Sequence, residues 1–304
     1  GMCLNLVCDR QGNVWFSSRG RGLFQYDPVR NQFRQFVAKP GRTASLSNNF
    51  VSKNGLLRDD RRNGLWIATE KGLNFLDLTT HRLRNHQTDS RPGALFSPNY
   101  TSGLTLNGDT LLYADNTAER IIQYDLRHQT LLQSFHPTSR TGQPVFPVAT
   151  LFVDRNQTIW LSSWEYVLLR IRSDMRQVEE FVHDPLDRTS VAANFFWDAW
   201  QQDDGTIWLG TVNGLSYTNP ERTFYRVHNL GRLHPSINDD RGINSFLEDD
   251  DGSWWLSTAL HELLHYDAVS GRLTPYRIPS SSPYEGGFGF PLLSRTPDPN
   301  RLYI

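Results

Sequence analysis

One short motif recurs along the whole chain, and its recurrence limits the fold more than any single residue does. "DRQGNVWFSS" at 9–18, "DRRNGLWIAT" at 60–69, "DRNQTIWLSS" at 154–163, "QDDGTIWLGT" at 202–211 and "DDDGSWWLST" at 249–258 share an acidic or Gly/Asn turn, an apolar residue and a Trp. Those residues are Trp15, Trp66, Trp160, Trp208 and Trp255, and two degenerate copies, "NGDTLLYAD" at 107–115 and "DPNRLYI" at 298–304, fill the remaining slots. Anchored on Leu112 and Tyr303 where Trp is missing, the spacings are 51, 46, 48, 48, 47 and 48 residues. Self-similarity at such a period marks a propeller or a solenoid.

Each copy reads as four short strands. An apolar stretch such as "LNLVCD" or "INSFLED" precedes the turn, and the Trp strand follows it. A third strand is often opened by Gly-Leu, as in "GLFQYD" at 22–27 and "GLNFLD" at 72–77, and a short fourth such as "QFRQF" or "RLTPY" closes the unit. Period-2 alternation appears in many of these, and no sustained helical period does. A four-stranded sheet of this size cannot bury both faces alone, whereas radial repetition stacks each sheet on the next. The expected fold is therefore all-β: a seven-bladed β-propeller of four-stranded antiparallel blades, the last blade incomplete at the C-terminus. It is expected as one domain over 1–304, with blades starting near 3, 51, 100, 148, 196, 243 and 288.

The copies resemble the two-component regulator propeller repeat, D-x-x-G-x-Φ-W-Φ-x-T followed by G-L-x-x-Y-D. "DDGTIWLGTVNGL" at 203–215 is a near-ideal copy, and "RTASLSNNFV" at 42–51 and "DPLDRTSVAANFF" at 184–196 resemble that family's inter-blade segments. The copies without Trp depart from the pattern. The resemblance implies a non-catalytic, extracytoplasmic sensor region of a hybrid two-component histidine kinase, in the periplasm as part of an inner-membrane receptor. It also implies recognition of an oligosaccharide or another small extracellular ligand, and a homodimer in the parent receptor. The kinase module is expected elsewhere in the parent protein. No cofactor is implied. An interaction scaffold that docks protein and a metal-dependent propeller lyase are the alternatives.

Charge supports no other partner. With 31 basic and 32 acidic residues, the net charge of −1 gives no broad attraction to nucleic acid or to an anionic membrane. No run of eighteen apolar residues is present. Cys3 and Cys8, five residues apart on a strand, would lie about 16 Å apart and face opposite sides, which opposes a disulfide.

One string competes with the repeat. "HELLH" at 261–265 matches the zincin motif H-E-x-x-H. Zinc binding there needs a helix, on which i and i+4 side chains meet. Aligned on Trp255, "ELLHYD" falls in the third-strand slot, where four residues span about 13 Å. No metal is expected at His261 and His265. For the lyase alternative, His261 and Glu262 are the first catalytic candidates.

The ligand face is read from loop variation. The turns between first and second strands are short and stereotyped. The connections between second and third strands vary strongly and share the opposite face with the inter-blade linkers, and such variation on a regular scaffold carries specificity. The loops contribute Arg19, Arg21, Glu70, Lys71, Trp164, Glu165, Tyr166, Asn213, His261 and Glu262. The linkers add Asn49, Phe50, Tyr100, Asn194, Arg241 and Asn244. Trp164 beside Glu165 and Tyr166 suits a sugar ring, and Arg19 with Arg21 suits an acidic one.

Overall fold

One carboxylate in the opening turn holds the indole in four of the five Trp strands. Asp9 Oδ1 accepts the backbone amides of Gln11 and Asn13, each at 2.9 Å, and its Oδ2 accepts the Trp15 indole N–H at 2.8 Å. The same indole bond recurs at 3.1 Å for Trp66 on Asp59, 3.0 Å for Trp160 on Asp154 and 2.9 Å for Trp255 on Asp249. Gln202 serves Trp208 in the same way at 3.1 Å. The turn residue and the packing residue are thus one device. The acid closes the hairpin, holds the indole, and loses its own hydration only against several donors.

The computed structural model describes residues 3–86, 98–176, 178–187, 189–219, 226–228, 242–258, 262–276, 293–295 and 302–303. The first blade is β1 Cys3–Cys8, β2 Val14–Ser18, β3 Gly22–Asp27 and β4 Gln32–Phe36. The second is β5 Val51–Asp59, β6 Gly64–Thr69, β7 Gly72–Asp77 and β8 Leu83–Asn85. The third is β9 Thr101–Asn107, β10 Thr110–Asp115, β11 Arg120–Asp125 and β12 Thr130–Phe135. The fourth is β13 Val148–Val153, β14 Ile159–Ser163, β15 Leu168–Ile171 and β16 Val178–Phe181. The fifth is β17 Phe196–Gln201, β18 Ile207–Thr211, β19 Gly214–Thr218 and β20 Arg226–His228. The sixth is β21 Ile243–Glu248, β22 Trp254–Thr258, β23 Leu263–Asp267 and β24 Arg272–Tyr276. In every blade the strands are neighbours in chain order.

The fold is an all-β propeller with six four-stranded blades, not seven. The last copy contributes β25 Ser294–Arg295 and β26 Leu302–Tyr303, which among the described residues pair through Ser294 with Tyr303 and Arg295 with Leu302. A spacing of 48 residues brings the chain to the next strand slot. Among the described residues it does not supply the four paired strands that make a blade.

Contacts divide the chain into two compact units. One holds residues 4–165 and 169–179, with the first three blades and most of the fourth; the other holds 1–3, 166–168 and 180–304. In the first unit, Trp15, Leu23, Leu65, Ile67 and Leu76 form a core between the first and second blades, and Trp66, Leu73, Leu111, Tyr113 and Ile122 form one between the second and third. In the second unit, Trp208, Phe246, Trp254, Leu256 and Leu264 join the fifth and sixth blades. Four of the five motif tryptophans are buried, and Trp15, Trp66 and Trp208 pack between blades as their repetition predicts, whereas the half-buried Trp255 lies against His265 and Tyr276 of its own blade and Trp254 takes the core position. Cys3 and Cys8 form no disulfide.

Gly-Leu at the start of the third strand has a steric cause. Gly22, Gly72 and Gly214 take φ of 81°, 109° and 120°. A Cβ on Gly22 would lie 2.3 Å from the Phe36 carbonyl oxygen, so the tight approach of β4 excludes a side chain.

Candidate functional site

The linker from the first to the second blade, residues 38–50, is held at both ends. Asn49 Oδ1 accepts the Ala38 amide at 2.7 Å, and the Asn49 carbonyl accepts the Gly22 amide at 2.9 Å. Ser47 N donates to the buried Asn74 Oδ1 at 2.8 Å, and the Phe50 carbonyl accepts Glu70 N at 3.1 Å. Between these anchors, Lys39-Pro40-Gly41-Arg42 forms a tight turn closed by Arg42 N on Lys39 O at 3.1 Å, with Gly41 at φ 72°. Pro pre-sets the first corner and Gly accepts the positive φ at the second. The Ser45 hydroxyl seals the turn, lying 2.8 Å from the Arg42 carbonyl and accepting Lys39 N at 3.1 Å. Local bonds, rather than a ligand, fix this segment.

Beside it opens a cleft of about 760 Å³, lined by the 38–43 turn, Leu46–Phe50, Gly20, Lys71 and Asn85. Phe50 is 42% exposed, and its ring lies over Gly20, where a Cβ would come within 3.1 Å of it. The enclosed Asn85 Oδ1 has no hydrogen-bond donor among the described residues. Three cationic residues, Lys39, Arg42 and Lys71, line the cleft, and no carboxylate does among the described residues. An aromatic face, hydroxyl and amide groups and positive charge on a rigid backbone suit a polar ring that carries negative charge.

Of the residues chosen from the sequence, this cleft gathers Asn49, Phe50 and Lys71. Arg19 and Arg21 flank Gly20 and are exposed, and Glu70 is exposed beside Lys71. Tyr100 is half-buried; burial, then the charge of Glu70, pushes its hydroxyl pKa above the usual value. Trp164 is 41% exposed, Glu165 is exposed, and the backbone of Trp164 is tied to the Pro147 carbonyl at 3.0 Å. Tyr166 is 62% exposed, with a positive φ of 57°, and its ring lies 5.7 Å from that of Phe195. Asn194 Oδ1 accepts His183 N, and Asn213 Nδ2 reaches the Ala192 carbonyl at 3.4 Å. Asn49 and Asn194 thus act as linker clamps as much as surface groups.

Asn244 is 2% exposed, and neither amide atom has a hydrogen-bond partner among the described residues. It sits where the register of β21 against β22 shifts between Ile243 and Ser245, a bulge that turns its side chain inward. Arg241 and His261 lie outside the described residues. The sequence reading missed Lys39, Arg42, Ser47, Asn48 and Asn85. Lys39 and Arg42 were legible only by setting the two linkers side by side.

Residues 263–265 of the H-E-x-x-H string lie in the strand β23, Leu263–Asp267, and Glu262 precedes it. His265 pairs across to Trp255 and Thr274, and its Nε2 lies 2.7 Å from Ser253 Oγ. With His265 on a strand, the helical geometry of a zincin is excluded.

No family model and no curated protein matches the chain. Solved structures do. The extracellular domain of a putative hybrid two component system from B. thetaiotaomicron aligns with a TM-score of 0.67 at 20% identity, over 91% of this chain and 35% of that one. The extracellular domain of a putative one component system from the same organism aligns at 0.69 and 18% identity, over 96% and 35%. A streptogramin B lyase aligns at 0.65 and 12% identity, over 97% of this chain and 88% of that one. The chain therefore spans about 35% of the length of the two sensor domains it matches. At these identities the shared property is the propeller fold, which supports the resemblance of the repeats to two-component regulator propellers.

Proposed function

We propose that this chain is a ligand-sensing propeller of an extracytoplasmic signalling receptor and that it recognises an oligosaccharide. The observation that carries the reading is the cleft beside Phe50: about 760 Å³, fixed by local hydrogen bonds, with an exposed aromatic ring among hydroxyl and amide groups. A sugar presents an apolar face to such a ring and hydroxyls to such polar groups. The shared fold with extracellular domains of two-component and one-component systems supports this setting. In that setting the chain lies in the periplasm, the membrane anchor and kinase lie elsewhere in the parent protein, and the receptor is a homodimer. Binding then acts by differential affinity for two arrangements of the receptor chains.

Isothermal titration calorimetry of the chain against a panel of oligosaccharides tests the reading. Saturable binding that falls at least tenfold in Phe50→Ala is expected. Binding that Phe50→Ala leaves intact would move the site elsewhere, with Trp164→Ala the next variant, and a panel with no binder would remove the sugar-sensing reading.

The fold match over 88% of a streptogramin B lyase favours a second, catalytic reading with Glu262 and His261 as its candidates. Incubation with a streptogramin B and a divalent cation, followed by chromatography, decides it. Substrate loss abolished by Glu262→Gln would establish the enzyme.

A further inference from the structure

The linker from the fourth to the fifth blade repeats the turn and the asparagine clamp of the first linker. His183 N donates to Asn194 Oδ1 as Ala38 N does to Asn49 Oδ1. Asp184 N donates to Ser190 Oγ at 3.0 Å as Lys39 N does to Ser45 Oγ at 3.1 Å. Ser190 Oγ lies 2.8 Å from the Asp187 carbonyl, the distance that Ser45 Oγ keeps from the Arg42 carbonyl. Asp187 N closes on Asp184 O at 3.0 Å, as Arg42 N closes on Lys39 O at 3.1 Å. The second-to-third-strand loops match as well: Thr69 Oγ1 donates to Gly72 O and accepts Lys71 N, and Thr211 Oγ1 donates to Gly214 O and accepts Asn213 N.

On this common frame the side chains differ in sign. Lys39 and Arg42 stand where the second frame has Asp184 and Asp187, and Lys71 stands where it has Asn213. Arg19 and Arg21 stand where it has Trp164 and Tyr166. Phe50 is 42% exposed, whereas its counterpart Phe195 is 2% exposed and packs against Tyr166 and Trp197. The frame therefore folds with either charge and with its aromatic open or covered. Neither the cations nor the bare ring of the first linker is required by the backbone. Among the described residues Arg19, Arg21, Lys39 and Arg42 form no ion pair, and the cleft wall holds no carboxylate to neutralise them.

We propose that the cleft beside Phe50 selects an anionic saccharide: the ring of Phe50 takes the apolar face of a sugar, and Lys39, Arg42 and Lys71 take its carboxylate or sulfate. This rests on the sugar-sensing reading above and names the class of sugar. Cationic residues lining an open, rigid cleft favour such a group by charge-assisted hydrogen bonds and by steering its approach. Neutral sugars lack the group that the cations would engage.

The test uses the intact chain and three probes of equal length: an oligogalacturonate, a sulfated glycosaminoglycan fragment and a neutral gluco-oligosaccharide, with inorganic sulfate as the bare anion. The double variant Lys39→Asp with Arg42→Asp copies the charges that the second linker already accommodates, so the frame has a precedent for folding with them. Calorimetry is expected to give saturable binding of one acidic probe, weaker by at least tenfold in 0.5 M salt and in the double variant, with no measurable binding of the neutral probe or of sulfate alone. The acidic probe that binds identifies carboxylate or sulfate. Neutral and acidic probes binding equally, or an acidic probe bound unchanged by the double variant, would overturn the proposal and leave sugar sensing standing. Failure of every saccharide, neutral and acidic, would overturn both.

Discussion

The Trp15 indole nitrogen lies 2.8 Å from Asp9 Oδ2, and both residues are almost fully buried, at 0% and 3% exposure. This bond couples the turn of the first blade to the core it shares with the second, because Trp15 packs among Leu46, Val51, Leu65 and Leu76. Asp9→Ala removes the acceptor for two backbone amides and strands the indole N–H. A loss of about 1–3 kcal/mol per unsatisfied buried group is expected in urea unfolding. Trp15→Phe keeps most of the packing and removes one donor from Asp9 Oδ2, which still accepts Asn13 Nδ2 at 2.8 Å. Its smaller loss would show that the hydrogen bond and the core contribute separately, and equal losses would count against that partition.

Phe50 and Phe195 occupy one position in two copies of a frame and are expected to respond oppositely. Phe195→Ala empties a buried site and should cost about 3–5 kcal/mol. Phe50→Ala truncates an exposed ring and should change stability by less than about 1 kcal/mol while removing ligand binding. Chemical denaturation of both variants, with calorimetry of the second, checks the contrast.

Gly22 and Gly41 share a positive φ, at 81° and 72°, but not their surroundings. A Cβ on Gly41 meets nothing within 4 Å, whereas one on Gly22 meets the Phe36 carbonyl at 2.3 Å. Gly41→Ala should therefore cost only the left-handed penalty of about 1–2 kcal/mol. Gly22→Ala should cost markedly more, because β3 and β4 must part at the Leu23–Phe36 pair. Thermal melting of the two variants side by side measures the difference.

Acid stability follows from the turns between third and fourth strands. Asp27, Asp77, Asp125 and Asp267 each accept two backbone amides there. All four carboxyls are held below their ordinary value; Asp125 reaches about 2, chiefly through the His128 side chain, whose Nδ1 lies 2.7 Å from Oδ2. The folded carboxyl is the stronger acid, so protons bind preferentially to the unfolded chain. The contribution of Asp125 is present above the unfolded value near 4 and is lost as pH falls toward 2. The melting temperature should be level from pH 7 to 5 and drop between 4 and 2, with a shallower drop in Asp125→Asn.

What was legible in the sequence was local. An Asp-x-x-Gly turn followed by Trp sets a hairpin wherever it occurs, because the carboxylate and the indole meet through a few bonds of chain. Gly-Leu marks the third strand for a steric reason within one blade. The surface role of the second-to-third-strand loops was legible too, since loop variability needs no tertiary knowledge, and Arg19, Arg21, Glu70 and Glu165 are exposed. The burial of Asn244 was not, because a bulge in β21 decides its direction and leaves no mark in composition.

The sequence by itself determined the repeating strand order, the turn chemistry and the strand at Leu263–Asp267 that excludes a zincin helix. Only the tertiary structure decided the number of blades, since a strand becomes part of a sheet through partners distant in the chain, and Leu302–Tyr303 finds two residues rather than three strands. It likewise decided the site. Lys39 and Phe50 sit on one linker and Lys71 and Asn85 on two other segments, and what brings them to one cleft is the anchoring of that linker by Gly22 and Asn74. Such anchoring is a set of long-range hydrogen bonds, and neither the spacing nor the composition of a chain encodes which ones will form.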